Sequence, residues 1–152
     1  MSKELKVIIG IGIVVIVGGI LLFRSQPQVE SPGQPIDGKS LVRESSHMTG
    51  KGDAKVTVVE FGDYECPACA AAEPAFERLR QEYKDNPNVN FVFRNFPLPQ
   101  HQKALVSAEA AEAAGEQGKF WEMHDKLYQN QDKWIGSGDH KALFLQYATE
   151  LS

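Results

Sequence analysis

The sequence has little cysteine: two residues in 152, Cys66 and Cys69. Two thiols cannot build the multi-bridge framework of a small secreted domain, and they fall short of the four ligands of a closed zinc site. A broad excess of one charge is also missing. Sixteen basic against twenty acidic side chains leave a formal charge of −4, so no wide positive field faces phosphates and nucleic-acid partners are excluded. There is no internal repeat, and the composition is neither collagen-like nor disordered throughout. With 42% hydrophobic and 24% charged residues, the chain suits one ordinary domain plus an appendage.

Charge is absent altogether from Val7 to Phe23, VIIGIGIVVIVGGILLF. As a helix rising about 1.5 Å per residue, this run just reaches across a thin hydrocarbon core. It is long for the core of a cleaved signal peptide, and no small-x-small cleavage site follows Phe23. Residues 1–24 are therefore expected to form a single transmembrane anchor, with the membrane held through residues 7–23. Lys3 and Lys6 before the span and Arg24 after it give a weak bias towards an inside amino terminus and an outside carboxyl domain. Residues 25–48 are expected to be a flexible linker. Ser25 to His47 holds three prolines, two glycines and five serines, with too few large apolar side chains to offset its ordering entropy.

The folded domain is expected over residues 49–152. Val56 to Phe61 (VTVVEF) is a nearly continuous apolar run, the pattern of a strand covered on both faces, broken only by Glu60. Ala70 to Lys84 reads as a helix with Phe76, Leu79 and Tyr83 on its apolar side and a kink at Pro74. Val89 to Asn95 (VNFVFRN) returns to strand spacing, which makes a β-α-β unit and a parallel pair. Lys103 to Gln117 is rich in alanine and glutamate, and its stripe of Ala104, Ala108, Ala111 and Gly115 permits close approach of a neighbour. Phe120 to Gln129 repeats Phe120, Met123, Leu127 and Tyr128 at helical spacing. Asp139 is placed to cap a last helix bearing Leu143, Phe144 and Tyr147.

Between the first strand and the first helix stands Cys66-Pro67-Ala68-Cys69. A cysteine at the first turn of a helix meets unpaired N–H groups and the positive end of the macrodipole, which favour its thiolate. Cys66 fills that place, and Pro67 fits the first helical position, where a missing N–H costs little. Cys69, one turn on, can close a disulfide with Cys66 or resolve a mixed disulfide that Cys66 has formed. A small ring at a helix start constrains little of the unfolded chain, so a purely structural disulfide is the weaker reading. Glu60, flanked by apolar residues, is expected to be buried with its pKa raised, suited to moving the proton of Cys69.

The run V-V-E-F-G-D-Y-E-C-P-A-C resembles the DsbA-type branch of the thioredoxin superfamily in its membrane-tethered bacterial form, as do F-R-N-F-P-L-P-Q-H and G-K-F-W-E-M-H-D-K-L-Y. The resemblance implies a thioredoxin-like α/β fold with a helical insertion after the second strand, into which the helices from Lys103 onward fit. It implies Cys66 as nucleophile, Cys69 as resolving thiol, Pro67 and Ala68 as the variable dipeptide, Pro74 as the kink of the active-site helix, and Glu60 as the acid beneath the second cysteine. It implies no cofactor beyond a redox-active Cys66–Cys69 disulfide, extracytoplasmic protein thiols as substrates, and a membrane quinone-linked reoxidant. The family's third strand with its cis-proline loop, its hairpin strand and its final helix have no counterpart before Ser152, so an incomplete domain is expected. A histidine between the cysteines would stabilise the Cys66 thiolate; Ala68 does not, which points to a milder oxidant.

Oxidation of extracytoplasmic proteins is the favoured direction, since cytosolic thiol pools would keep the pair reduced. A reductase or isomerase using the same site is the alternative, and a metal chaperone with a histidine as third ligand is a rival that the spacing of His47, His101, His124 and His140 does not support. A catalytically silent tethered scaffold is a third class. His101, after the Pro-Leu-Pro turn, is a possible neighbour of the site. His124 reads as packing or surface, and Trp121 and Trp134 as helix packing. No metal is expected.

Overall fold

The computed structural model describes residues 37–50 and 53–152. The expected anchor and residues 25–36 of the expected linker lie outside the described residues. Among the described residues, no helix is long and apolar enough to cross a membrane. Asp37–Ser152 forms one compact unit.

The unit begins earlier than expected. The end of the expected linker is built into it: a short helix α1 (Gly38–Leu41) is followed by a two-residue strand β1 (Met48–Thr49). Arg94 Nη1 donates to the Leu41 carbonyl at 2.7 Å. The His47 ring stacks on Phe120 with centroids 3.9 Å apart, so residues polar by composition are ordered by tertiary contacts.

Two longer strands follow the expected spans, β2 (Val56–Gly62) and β3 (Val89–Asn95), joined by helix α2 (Pro67–Tyr83). They pair in parallel, with Val58 opposite Phe91 and Glu60 opposite Phe93, while β1 runs antiparallel to β3 through Met48 and Val92. The sheet order β1-β3-β2 puts β2 at an edge. Among the described residues it pairs with β3 alone, and its exposure corrects the expectation of a strand covered on both faces: Val56 and Phe61 are about half exposed, at 55% and 50%. The central strand is β3, where Asn90, Phe91, Val92 and Phe93 are all buried.

Helices α3 (Ala104–Gly115), α4 (Phe120–Gln129), α5 (Gln131–Gly136) and α6 (His140–Glu150) follow β3. Ala104, Ala108, Ala111 and Ala114 of α3 are buried, the small-residue face that lets α4 approach. Gly115 adds room for another contact, since a Cβ there would overlap the His47 ring. Phe120, Met123, Leu127 and Tyr128 of α4 join Tyr64, Phe93, Trp134, Phe144 and Tyr147 in one core. Asp139 caps α6 as expected, its Oδ1 accepting from the Ala142 N–H at 3.1 Å. Helix α5 had no sequence expectation. Trp134 is fully buried in it and donates to the Leu127 carbonyl at 2.7 Å.

Helix α2 turns a different face inward from the one its apolar residues suggest. Glu73 and Arg80 are its buried residues, whereas Leu79 and Tyr83 are exposed. The inward face meets charged partners on α4, so ion pairing rather than apolar periodicity sets its rotation.

Candidate active site

The polypeptide leaves β2 at Gly62 and turns over four residues into α2. The turn closes with the Cys66 N–H donating to the Asp63 carbonyl at 3.0 Å. Cys66 is the N-cap of α2 in extended conformation, φ −74° and ψ 120°, without a side-chain capping bond, and Pro67 opens the helix. Its own carbonyl accepts from Ala70 at 3.1 Å. Both cysteines carry free thiols and are half-buried. Pro67 and Ala68 are exposed between them. Cys69 packs against the core cluster. Burial pushes its thiol up, a backbone hydrogen bond from Asp63 pulls it down, and a hydrogen bond with Cys66 together with the Cys66 and Asp63 charges adds to the rise.

The turn is held from three sides by residues the sequence reading did not single out. Asp63 is buried; its Oδ1 accepts from the Glu65 N–H at 2.8 Å and its Oδ2 from the Leu98 N–H at 2.9 Å. Gln131 Nε2 donates to the Tyr64 carbonyl at 2.7 Å and to the Cys66 carbonyl at 3.0 Å. Glu65 accepts from the Lys103 N–H, while Lys103 Nζ reaches the Trp134 and Ser137 carbonyls that end α5. His101 does lie beside the turn. Its Nδ1 is 2.7 Å from Asp63 Oδ2, so it touches the support of the cysteines.

Glu60 stands on β2 two residues before Gly62. Burial, the nearby Glu73 charge and a smaller opposing effect of Arg80 bring its carboxyl up to about 7, a poise that lets it hold or release a proton near neutrality.

Beneath the site lies a buried polar cluster. Arg80 Nη1 donates to Glu73 Oε1 at 2.8 Å and Nη2 to Asp125 Oδ1 at 2.6 Å, and its guanidinium lies 4.8 Å over the Trp121 ring. His124, fully buried, sets Nε2 3.2 Å from Glu73 Oε1 and Nδ1 3.1 Å from Tyr64 Oη. Burial is the largest influence on His124 and lowers its pKa, while the Glu73 hydrogen bond and charge pull the other way; Nε2 faces Glu73 and Nδ1 faces the tyrosine hydroxyl. Burial also pushes Glu73 up, but the His124 hydrogen bond and charge and the Arg80 guanidinium outweigh it and hold the carboxyl below its usual value. For Asp125 burial prevails over Arg80 and brings it to about 6. Glu73, His124 and Asp125 offer ligand atoms within 4.8 Å of one another, yet Arg80 bonds both carboxylates, and a cation would meet its positive charge.

The Thioredoxin family profile matches residues 43–151. The chain belongs to the thioredoxin family. It is 45% identical over 93 residues to a protein of Bacillus cereus named probable disulfide bond formation protein D, a match covering 57% of this chain and 43% of that protein. Among solved structures, oxidised BdbD from Bacillus subtilis superposes with a TM-score of 0.62 at 30% identity, over 71% of this chain and 60% of that one. These relatives set it with the DsbA-type members. A third relative, the Na(+)/H(+) antiporter NhaA 1 of Salinispora arenicola, is 52% identical over 89 residues, which are 58% of this chain and 13% of the antiporter. The chain thus spans about one-seventh of the antiporters and under half of the Bacillus cereus protein that it matches.

Proposed function

We propose that this chain is a protein-disulfide oxidoreductase of DsbA type that passes a Cys66–Cys69 disulfide to protein thiols outside the cytoplasm. The observation that carries the reading is the placement of the two thiols: Cys66 at the N-cap of α2, and Cys69 one turn along against the core with its pKa raised. A substrate thiolate attacks Cys66, a sulfur–sulfur bond forms, and the Cys66–Cys69 bond breaks with its electron pair on Cys69. A second substrate thiol resolves the mixed disulfide, the substrate dithiol is oxidised, and the pair is left reduced. Glu60, near neutrality in its proton affinity, is the group we assign to supply the Cys69 proton. The work is done by the sulfurs, and no further cofactor enters this scheme.

The apolar run of residues 7–23 is assigned as the membrane anchor, with the domain on the extracytoplasmic side, where an oxidised pair persists. Reoxidation falls to a membrane quinone-linked partner. The antiporters share only a domain-sized stretch with this chain, and ion exchange is no part of the reading.

The test is the redox equilibrium of the full chain against glutathione. A reduction potential well above roughly −200 mV, abolished by Cys66→Ser, is the expected result. A value near roughly −270 mV would make the chain a reductase with the same site, and no exchange at all would end the assignment.

A further inference from the structure

One buried hydroxyl beside the site is left over by this scheme. Tyr128 of α4 is 5% exposed, and its Oη has no hydrogen-bond partner among the described residues. The ring is fixed in the core, with centroids 4.9 Å from Tyr64 and 5.2 Å from His124. A Cβ on Gly62 would stand only 2.8 Å from Oη, so the hydroxyl lies against the backbone where β2 gives way to the Asp63 turn. The same tyrosine lines a groove with Pro67, Ala70 and Ala71, the residues around the two cysteines on α2. Cys69 and Ala70 pack on the cluster to which Tyr128 belongs.

An orphaned buried hydroxyl costs stability, and phenylalanine would fill the same space without that cost. The arrangement has a use if the hydroxyl finds its partner during the reaction. We propose that Tyr128 Oη–H is the hydrogen-bond donor that receives Cys69 Sγ when that sulfur leaves the disulfide as a thiolate. The inference deepens the oxidoreductase reading and rests on it. In the step, the incoming substrate thiolate bonds to Cys66 Sγ, the Cys66–Cys69 bond breaks, and the electron pair stays on Cys69 Sγ. Tyr128 donates a hydrogen bond and keeps its proton, because burial, then the Cys69 and Glu60 charges, hold the phenol far above its ordinary range. The thiolate then takes a proton from Glu60. The titratable neighbours are Cys66 and Asp63 in the turn beside the sulfur, and Glu60 on β2, Glu73 on α2, Tyr64 and His124 about the Tyr128 hydroxyl and ring. Beside them Tyr128 brings a side-chain donor without a prior bond among the described residues.

Tyr128→Phe tests it in two settings. In a Cys66→Ser background, the pH profile of Cys69 alkylation reports the thiolate without any need for turnover. Loss of the donor should slow alkylation about tenfold at a fixed pH below the midpoint, while the denaturation midpoint stays level or rises. With both cysteines present, reduction of the disulfide by a dithiol peptide should slow by a similar factor. If Tyr128→Phe does not fold, the Tyr128 ring-carbon resonance in the Cys66→Ser chain replaces it. That signal should shift with the Cys69 titration and stay fixed when Cys69 is also serine. An unchanged alkylation profile, or a resonance blind to Cys69, overturns the inference. Failure of the unsubstituted chain to exchange with glutathione would strike the oxidoreductase reading instead, and the alkylation result would stand apart from it.

Discussion

Gln131 Nε2 sits 3.0 Å from the Cys66 carbonyl and 2.7 Å from the Tyr64 carbonyl, so one buried side-chain amide spans the turn that presents the nucleophile. The two acceptors belong to residues that flank Glu65, and the donor belongs to the first residue of α5. The helices that follow β3 thereby grip the redox turn directly, and the position of Cys66 depends on a helix more than sixty residues away in sequence.

Gln131→Ala removes both bonds; the Cys66 carbonyl keeps its bond from Ala70, and the Tyr64 carbonyl loses its donor in a poorly solvated place. A loss of about 2 kcal/mol in urea denaturation is expected, within the range for unsatisfied buried groups. Faster hydrogen exchange at the Cys66 amide should accompany it. Equal stability with unchanged exchange would show that the turn is held by Asp63 and the helix start alone.

Arg80 is the only cation bonded to both Glu73 and Asp125 among the described residues, and it is 8% exposed. Arg80→Met keeps the stem's packing but leaves Glu73, 4% exposed, without its nearer donor. Breaking a buried pair from one side costs about 3–5 kcal/mol. Denaturation of Arg80→Met should show a loss of that order, and combining it with Glu73→Gln should recover part of it, because the more deeply buried of the two carboxylates is then uncharged and only the half-buried Asp125 is left without its cation. A loss below about 1 kcal/mol would mean that solvent reaches the pair.

Glu60 gives a pH dependence with a definite sign. Its carboxyl binds protons up to about 7 in the folded chain, against 4.5 ordinarily. Between those values the folded state holds the extra proton, so this residue's contribution to stability falls as pH rises from about 4.5 to about 7. Asp125, raised to about 6, acts in the same direction at lower pH, and buried His124, lowered, acts in the opposite one. Comparing Glu60→Gln with the unsubstituted chain cancels both. The variant should gain on the parent across that window by something on the order of 1 kcal/mol, after discounting for solvent that still reaches the carboxyl. A flat difference from pH 4.5 to 7.5 would place Glu60 in water.

The contrast between what was legible and what was not follows the range of the interactions. Val56 to Phe61 and Val89 to Asn95 announced strands because their apolar residues act locally, and Cys66-Pro67 announced a helix start because capping and proline geometry are local rules. Helix α5 was invisible because six residues between Asn130 and Ser137 hold no period; the Leu127 carbonyl that takes the Trp134 N–H, and the Lys103 ammonium, fix them from outside. Glu73 and Arg80 are seven apart on α2, a spacing that puts them on one face, yet nothing in a charged pair says that the face is buried until Asp125 and His124 are brought opposite. For β1 the signal was weaker still, two residues whose strand conformation comes from pairing with β3. Of the site, the placement of Cys66 at a helix start was readable, whereas Asp63 and Gln131, which hold the turn, were not.

The contact that ties β1 and the residues before it to the helices gives the last prediction. His47 lies face to face with Phe120 at an interplanar angle of 9°, and Nε2 is 2.8 Å from Glu112 Oε2. The space it occupies exists because position 115 has no side chain. Gly115→Val should push the imidazole out of the stack and off Glu112. The global loss should be modest, about 1–3 kcal/mol as for other overpacked sites, because the ring can swing towards solvent. The local loss should be larger: amides of Met48 and Thr49 should exchange much faster than those of β2, since their strand is only two residues long and borrows its order from this anchor. Gly115→Ala, with a smaller intrusion, should fall between. If β1 keeps its protection in both variants, its pairing with β3 and the Arg94 bond to Leu41 are sufficient to hold it.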